Sequence, residues 1–214
     1  MEDLSDRRKI YNLGYLSESE LKDNPMELFR EWYLSAEQSD KISETNAMTL
    51  STVEDHLIPR TRRVLLKQYT WEGFIFYTNY HSRKGRAISK NPNVCLNFYW
   101  ESLEKQITIN GIAEKLPPNL SDGYFHSRPL GSQLGAIASP QSEVIPNRDF
   151  LENKLRELEI ATNNNSEIKR PDHWGGYIVK PYQIEFWQGR PNRLHDRIVY
   201  ILQNFDWIIQ RYAP

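Results

Sequence analysis

Cys95 is the only cysteine in the 214-residue chain, so no intrachain disulfide can form and a reducing compartment is expected. No apolar run is long enough to span a bilayer. The first ten residues, MEDLSDRRKI, lack the apolar core of a secretory signal. These absences predict a cytoplasmic protein without a membrane partner. An excess of one charge is missing too. Lys and Arg total 27 and Asp and Glu 28, for a net charge of −1, which argues against a broad nucleic-acid footprint. There is no Walker-type loop, GxGxxG, GxSxG or CxxC. The histidines at 56, 81, 126, 173 and 195 include no pair at helical metal spacing, so no metal site is expected. No linker-like stretch of Pro, Gly or Ser divides the chain, and no segment repeats. The expectation is a mobile N-terminal arm over 1–22 and one domain over 23–214, large enough to need no covalent staple.

What the chain does hold is a helical signal followed by many strand-like runs. Asn24 and Pro25 supply a cap and a first-turn proline for an amphipathic helix to about residue 38, with Leu28, Phe29, Trp32 and Tyr33 at helical spacing. From residue 47 come AMTLSTV, RRVLLK, GFIFYTN, NVCLNFYW and QITINGIAEKL, rich in Val, Ile, Thr and aromatics and separated by turn formers. Their close spacing leaves no room for helical crossovers, so the class is mainly β, an antiparallel barrel or sandwich with peripheral helices. SRKGRAISKNP is long enough for a short helix, and LSDGYFHSRP reads as helical up to Pro129. Asn147 caps a further helix over RDFLENKLRELEIA, which Asn163 to Ser166 ends as a polar loop. WGGYIVKPYQIEFWQG, RIVYIL and DWIIQRYAP return to strand.

Four clusters carry chemistry. SRKGR, at the start of a helix, can converge guanidinium, ammonium, hydroxyl and backbone NH groups on an anion; it also fits a solvated basic turn. In RRVLLK, strand alternation puts Arg63, Leu65 and Lys67 on one face and Arg62, Val64 and Leu66 on the other. That pattern suits a ligand at a barrel rim or charges protecting an edge. YFHSRP sets Tyr124 and Arg128 one helical turn apart with Ser132 beyond, a phosphate clamp or a packing pair with a solvated tip. RLHDR, if extended, shows Arg193, His195 and Arg197 on one face. Three cations there repel unless an anion or electron-rich ring lies against them, the alternative being a surface strand paired with acidic neighbours.

Taken in order, RRVLLK, FYTN with SRKG, KQI, YFHSRP, SQLGA, QSEVIP, WGGY, EFWQGRPNRLHDR and RYAP resemble the pyridoxamine phosphate oxidase family across nearly the whole chain. The resemblance implies an FMN-binding split β-barrel that works as a homodimer with FMN near the subunit interface. It implies oxidation of pyridoxamine or pyridoxine phosphate to pyridoxal phosphate, with O2 as acceptor and hydrogen peroxide released. FMN would be held by Arg62, Arg63, Val64, Leu65, Leu66 and Lys67, by Tyr77 and Thr78, by Arg83 and Lys84, and by Gln106, Gln141, Ser142, Trp187 and Arg197. Substrate phosphate would be gripped by Lys67, Tyr124, Arg128 and Ser132, while Arg193 and His195, the implied catalytic pair, lie against the pyridine. Arg8 and Tyr11 resemble the arm that closes over substrate. EDHLIPRT lacks the glycine expected in its turn, and Arg63 stands where the family usually has an aliphatic or small residue. A noncatalytic pyridoxal phosphate carrier, or another FMN split-barrel oxidoreductase, is the alternative.

Overall fold

The computed structural model describes residues 1–162 and 168–214; the loop expected at Asn163–Ser166 lies outside them. Helix α1, Pro25–Glu37, begins where Asn24 Oδ1 accepts from the Met26 N–H at 2.9 Å. Its apolar stripe, Met26, Leu28, Phe29, Trp32 and Ala36, is buried. Phe29 meets Tyr69, Phe74 and Phe98 edge-on at centroid distances of 5.1, 4.8 and 5.4 Å. Truncating a ring so enclosed costs about 3–5 kcal/mol.

Strands β1 (Ala47–Val53), β2 (Pro59–Leu65), β3 (Gln68–Thr70) and β4 (Gly73–Asn79) precede α2 (Arg83–Lys90). Then follow β5 (Asn93–Trp100), β6 (Lys105–Lys115), α3 (Pro118–Ser127), α4 (Leu130–Ala138) and α5 (Asp149–Thr162). The chain ends with β7 (Trp174–Gln188), β8 (Asp196–Gln203) and β9 (Asp206–Tyr212). All strand pairs are antiparallel, along the path β2-β1-β5-β6-β7-β4-β3, with β8 on β7 and β9 on β8. Among the described residues no pair joins β2 to β3, so the sheet stays open.

The long strand β7 organises the molecule. Its first half, Trp174 to Val179, pairs with β4. Its second, Gln183 to Gln188, pairs with β8, while β6 follows both halves past a register shift at Asn110/Gly111. One apolar cluster runs from Leu16 through α1 and the sheet to Tyr200.

The strand runs read from sequence match these elements closely. The three-residue β3 was too short to show a period. Helix α4 was not expected, because its Gly and Ala content carries little amphipathic signal. The turn that lacks glycine takes it up through two residues, His56 and Leu57, at φ of 58° and 59°. This backbone is unfavourable for side chains other than Gly.

Candidate active site

Between β2, β4, α3 and α4 lies a cleft of about 480 Å³. Arg63, Lys67, Lys84 and Arg128 reach it, Thr78, Ser132 and Gln141 add polar groups, and no carboxylate among the described residues lines it. Tyr77 and Tyr124 stack at 3.9 Å, and Trp174 lies nearly parallel to both, at 5.6 and 6.2 Å. The Arg128 guanidinium sits over the Trp174 ring at 4.6 Å. Its Nη1 is buried without a hydrogen-bond partner, a donor aimed at something other than this chain's described residues. Burial, with Tyr124 alongside, pushes the Tyr77 phenol up, so it stays protonated.

Lys84 comes from the first turn of α2, which Ser82 caps by accepting from the Gly85 N–H at 3.3 Å. Its Nζ donates to Gln141 Oε1 at 2.6 Å and Thr78 Oγ1 at 3.1 Å. Burial, with Arg62 nearby, pulls its pKa down to about 8. Four cations without a carboxylate repel one another; a bound anion relieves that. The donor set fits a phosphate ester, and the aromatic wall fits a flat ring.

A second cluster lies at the other end of β7. Gln106, Trp187 and Arg197 stand opposite one another on β6, β7 and β8. His195 packs on Trp187 at 4.6 Å, and Tyr11 meets both edge-on at 5.5 and 5.7 Å. The Arg190 N–H donates to His195 Nδ1 at 3.0 Å. Burial, then the Arg193 charge, lowers the His195 pKa below its ordinary value. The neutral ring therefore carries its proton on Nε2, available as a donor.

RLHDR is not extended throughout, because Pro191–Arg193 form a 3-10 turn with Asn192 and Arg193 at φ of 58° and 61°, and β8 begins only at Asp196. Pro191 fixes the turn, closed by the Leu194 N–H to the Pro191 carbonyl at 3.1 Å. Arg197 already has its anion: Glu185 accepts from Nε and Nη2 at 2.8 and 3.0 Å. Likewise Arg128 is not on the helical face of Tyr124. It leaves α3 at ψ of 150°, since Pro129 disfavours helical backbone in the residue before it. Both side chains still line the cleft.

The cleft thus gathers Arg63, Val64, Leu65, Lys67, Tyr77, Thr78, Lys84, Tyr124, Arg128, Ser132 and Gln141. Leu66 is instead in the core, and Arg62 donates to Thr52 Oγ1 at 2.7 Å. Arg83 lines a separate cleft with Glu54 and Asp55, because adjacent helical residues point about 100° apart. Ser142 follows Gln141 at φ of 77°. Arg8 is exposed on the extended N-terminal segment, and Arg193 is exposed in its turn. Sequence reasoning missed Trp174, Arg190 and Glu185. Only the first left a signal, the aromatic beside a glycine pair in WGGY. A Cβ on Gly176 would sit 2.8 Å from Tyr77 Cε1, and one on Gly175 would sit 2.2 Å from the Tyr80 hydroxyl.

The profile of the family described as pyridoxamine 5'-phosphate oxidase matches residues 34–161, and that of the pyridoxine 5'-phosphate oxidase C-terminal dimerisation region matches 174–214. The chain belongs to the pyridoxamine 5'-phosphate oxidase family. A pyridoxine/pyridoxamine 5'-phosphate oxidase of Flavobacterium psychrophilum is 56% identical over 215 residues, covering 100% of both chains. One of Salinibacter ruber is 48% identical over 216 residues, again covering 100% of both. Among solved structures, PhzG from Burkholderia lata, in complex with tetrahydrophenazine-1-carboxylic acid, superposes with a TM-score of 0.83. It is 26% identical, over 92% of this chain and 95% of that one. A pyridoxamine 5'-phosphate oxidase-related, FMN-binding protein from Nostoc punctiforme shares the fold at a TM-score of 0.68 and 13% identity, over 91% of this chain and 100% of that one. Both neighbours support the split-barrel fold class. No helix among the described residues is long and apolar enough to cross a membrane.

Proposed function

We propose that this chain is an FMN-dependent oxidase converting pyridoxamine 5'-phosphate and pyridoxine 5'-phosphate to pyridoxal 5'-phosphate. The observation that carries this reading is the cleft in which four cations meet no carboxylate among the described residues, beside a stacked aromatic wall, in a chain related over its full length to enzymes of that name. FMN, when bound, supplies the hydride acceptor, which O2 reoxidises with release of hydrogen peroxide.

This chain's residues supply binding and orientation. Lys84, Thr78 and Gln141 form the polar corner offered to the flavin, with Arg63, Val64, Leu65, Lys67 and Tyr77 completing its side. Lys67, Tyr124, Arg128 and Ser132 hold the substrate phosphate, with Trp174 keeping the Arg128 guanidinium in place. Arg193 and the Nε2 proton of His195 orient the pyridine and balance charge as the reaction proceeds. Two anchored phosphates fix the rings relative to each other.

Trp174 and Trp187 lie thirteen residues apart on β7, on the order of 40 Å along the strand. One small ligand cannot touch both ends in one chain. A homodimer resolves this, a second copy bringing Gln106, Trp187, Arg197, Arg193 and His195 to the cleft, and the match to a dimerisation region over 174–214 supports it. Residues 23–214 act as one domain, and the continuous apolar cluster, which Leu16 of the preceding segment joins, supports a single body. The lone, partly buried Cys95 suits a cytoplasmic setting.

The test is peroxide formation when the purified protein, loaded with FMN, meets pyridoxamine 5'-phosphate in air. Stoichiometric pyridoxal 5'-phosphate is the expected product. Binding without peroxide would leave a noncatalytic carrier instead.

A further inference from the structure

We infer that Glu104 is a positioning residue, a buried carboxylate that latches the N-terminal arm so that Tyr11 is pressed against Trp187 and His195. Glu104 ends the turn between β5 and β6 with a left-handed backbone, φ 54° and ψ 34°. Its side chain is 2% exposed. The Gly189 N–H and Gln188 Nε2 both donate to its carbonyl, at 2.8 and 3.2 Å, which binds the turn to the end of β7. From that position Glu104 Oε2 accepts from the backbone N–H of Leu13 at 3.0 Å. A charged acceptor out of water makes such a bond strong and its loss costly.

The latch has a second point three residues on. Asp196 Oδ2 accepts from the Leu16 N–H at 3.0 Å, and Arg190 Nη1 donates to the Gly14 carbonyl at 3.0 Å. Asp196 is itself held by Arg211 at 2.7 Å. The backbone of 13–16 is thereby held on both edges; Leu13 and Tyr15 are largely exposed, while Leu16 is buried in the core and anchors the far end of the segment. Contact with the body is close. A Cβ on Gly189 would meet Tyr11 Cδ1 at 2.6 Å, and one on Gly14 would meet the Gln188 side chain at 3.3 Å. Tyr11 meets Trp187 and His195 from the segment whose amides these bonds hold. The inference rests on the proposed function for its consequence, because Arg8 and Tyr11 serve substrate only if this cluster does.

The test uses the FMN-loaded, full-length protein with Glu104→Ala, Glu104→Gln and Leu13→Pro. The last removes the donor N–H from the arm side and leaves the body intact should Glu104→Ala fail to fold. Hydrogen exchange over residues 11–16 is expected to accelerate about tenfold in Glu104→Ala. In the same variant KM for pyridoxine 5'-phosphate should rise about tenfold while kcat stays within about twofold. FMN affinity should not move. Leu13→Pro should raise KM alike, the double variant should add nothing further, and glutamine, which keeps an acceptor oxygen, should restore most of both readouts. Unchanged exchange in both Glu104→Ala and Leu13→Pro would overturn the latch. Faster exchange with an unchanged KM would overturn its service to substrate, as would KM effects that multiply in the double variant. A wild-type protein that forms no peroxide would sink the oxidase reading instead, and exchange would still decide the latch.

Discussion

Lys84 gives the cleft a pH dependence that can be worked out in advance. Burial and the neighbouring Arg62 bring its pKa down to about 8 in the free protein. A phosphate bound beside it restores a charge partner and holds the proton on. The sign follows: below about 8 the free protein is already protonated and binding is at full strength, while above it each binding event must take up a proton. If the bound form keeps its proton to the ordinary lysine range, affinity falls about tenfold between pH 7 and pH 9 and about tenfold per unit beyond, until near pH 10.5. The phosphate's own second ionisation, near 6, is largely complete across this window. Titration of the FMN-free protein with FMN, followed by flavin fluorescence quenching from pH 7 to 9.5, measures the slope. Lys84→Gln keeps a donor but cannot titrate, so its affinity should be weaker at pH 7 and flat with pH. A wild-type affinity independent of pH, or an equal slope in Lys84→Gln, would refute the reasoning.

Three further outcomes are expected. Arg193→Ala and Arg193→Gly should lose turnover equally and far more than FMN affinity, yet Arg193→Gly should be the more stable by about 1 kcal/mol in urea unfolding, because φ there is 61°. Gly85→Ala should destabilise by about 1–3 kcal/mol. A Cβ there lies 2.2 Å from the Tyr80 carbonyl oxygen, a backbone atom, so the start of α2 must shift and FMN affinity should drop with the melting temperature. Lys67→Ala should raise KM for pyridoxine 5'-phosphate by about tenfold or more with a smaller change in kcat; an unchanged KM would remove Lys67 from the substrate phosphate.

Period and punctuation were enough to place most strands, since a half-buried strand must alternate and its ends must turn. AMTLSTV, GFIFYTN and NVCLNFYW coincide with β1, β4 and β5. Asn24 and Asn147 announced their helices because short polar side chains bond the amides a helix start leaves free. Side-chain direction was less legible. Arg62 and Arg63 alternate as expected, but Leu66 turns into the core where β2 has already ended, and Arg83 points away from Lys84.

By itself, then, the sequence determined the β-rich class, the capping of its helices and the identity of the clustered cations, because each depends on neighbours within a few residues. It also carried the family, through motifs in a fixed order. Tertiary structure alone decided which cations share a cleft and which are already paired. Arg197 finds Glu185 across a strand pair, while Arg128 finds Trp174 from far along the chain. Contacts of that kind arise when the sheet brings β4 and β8 to opposite halves of β7, and no local pattern records that pairing. The same long-range folding put a buried carboxylate at Glu104 under the N-terminal arm, where a single residue in a polar turn had given no sign of a role.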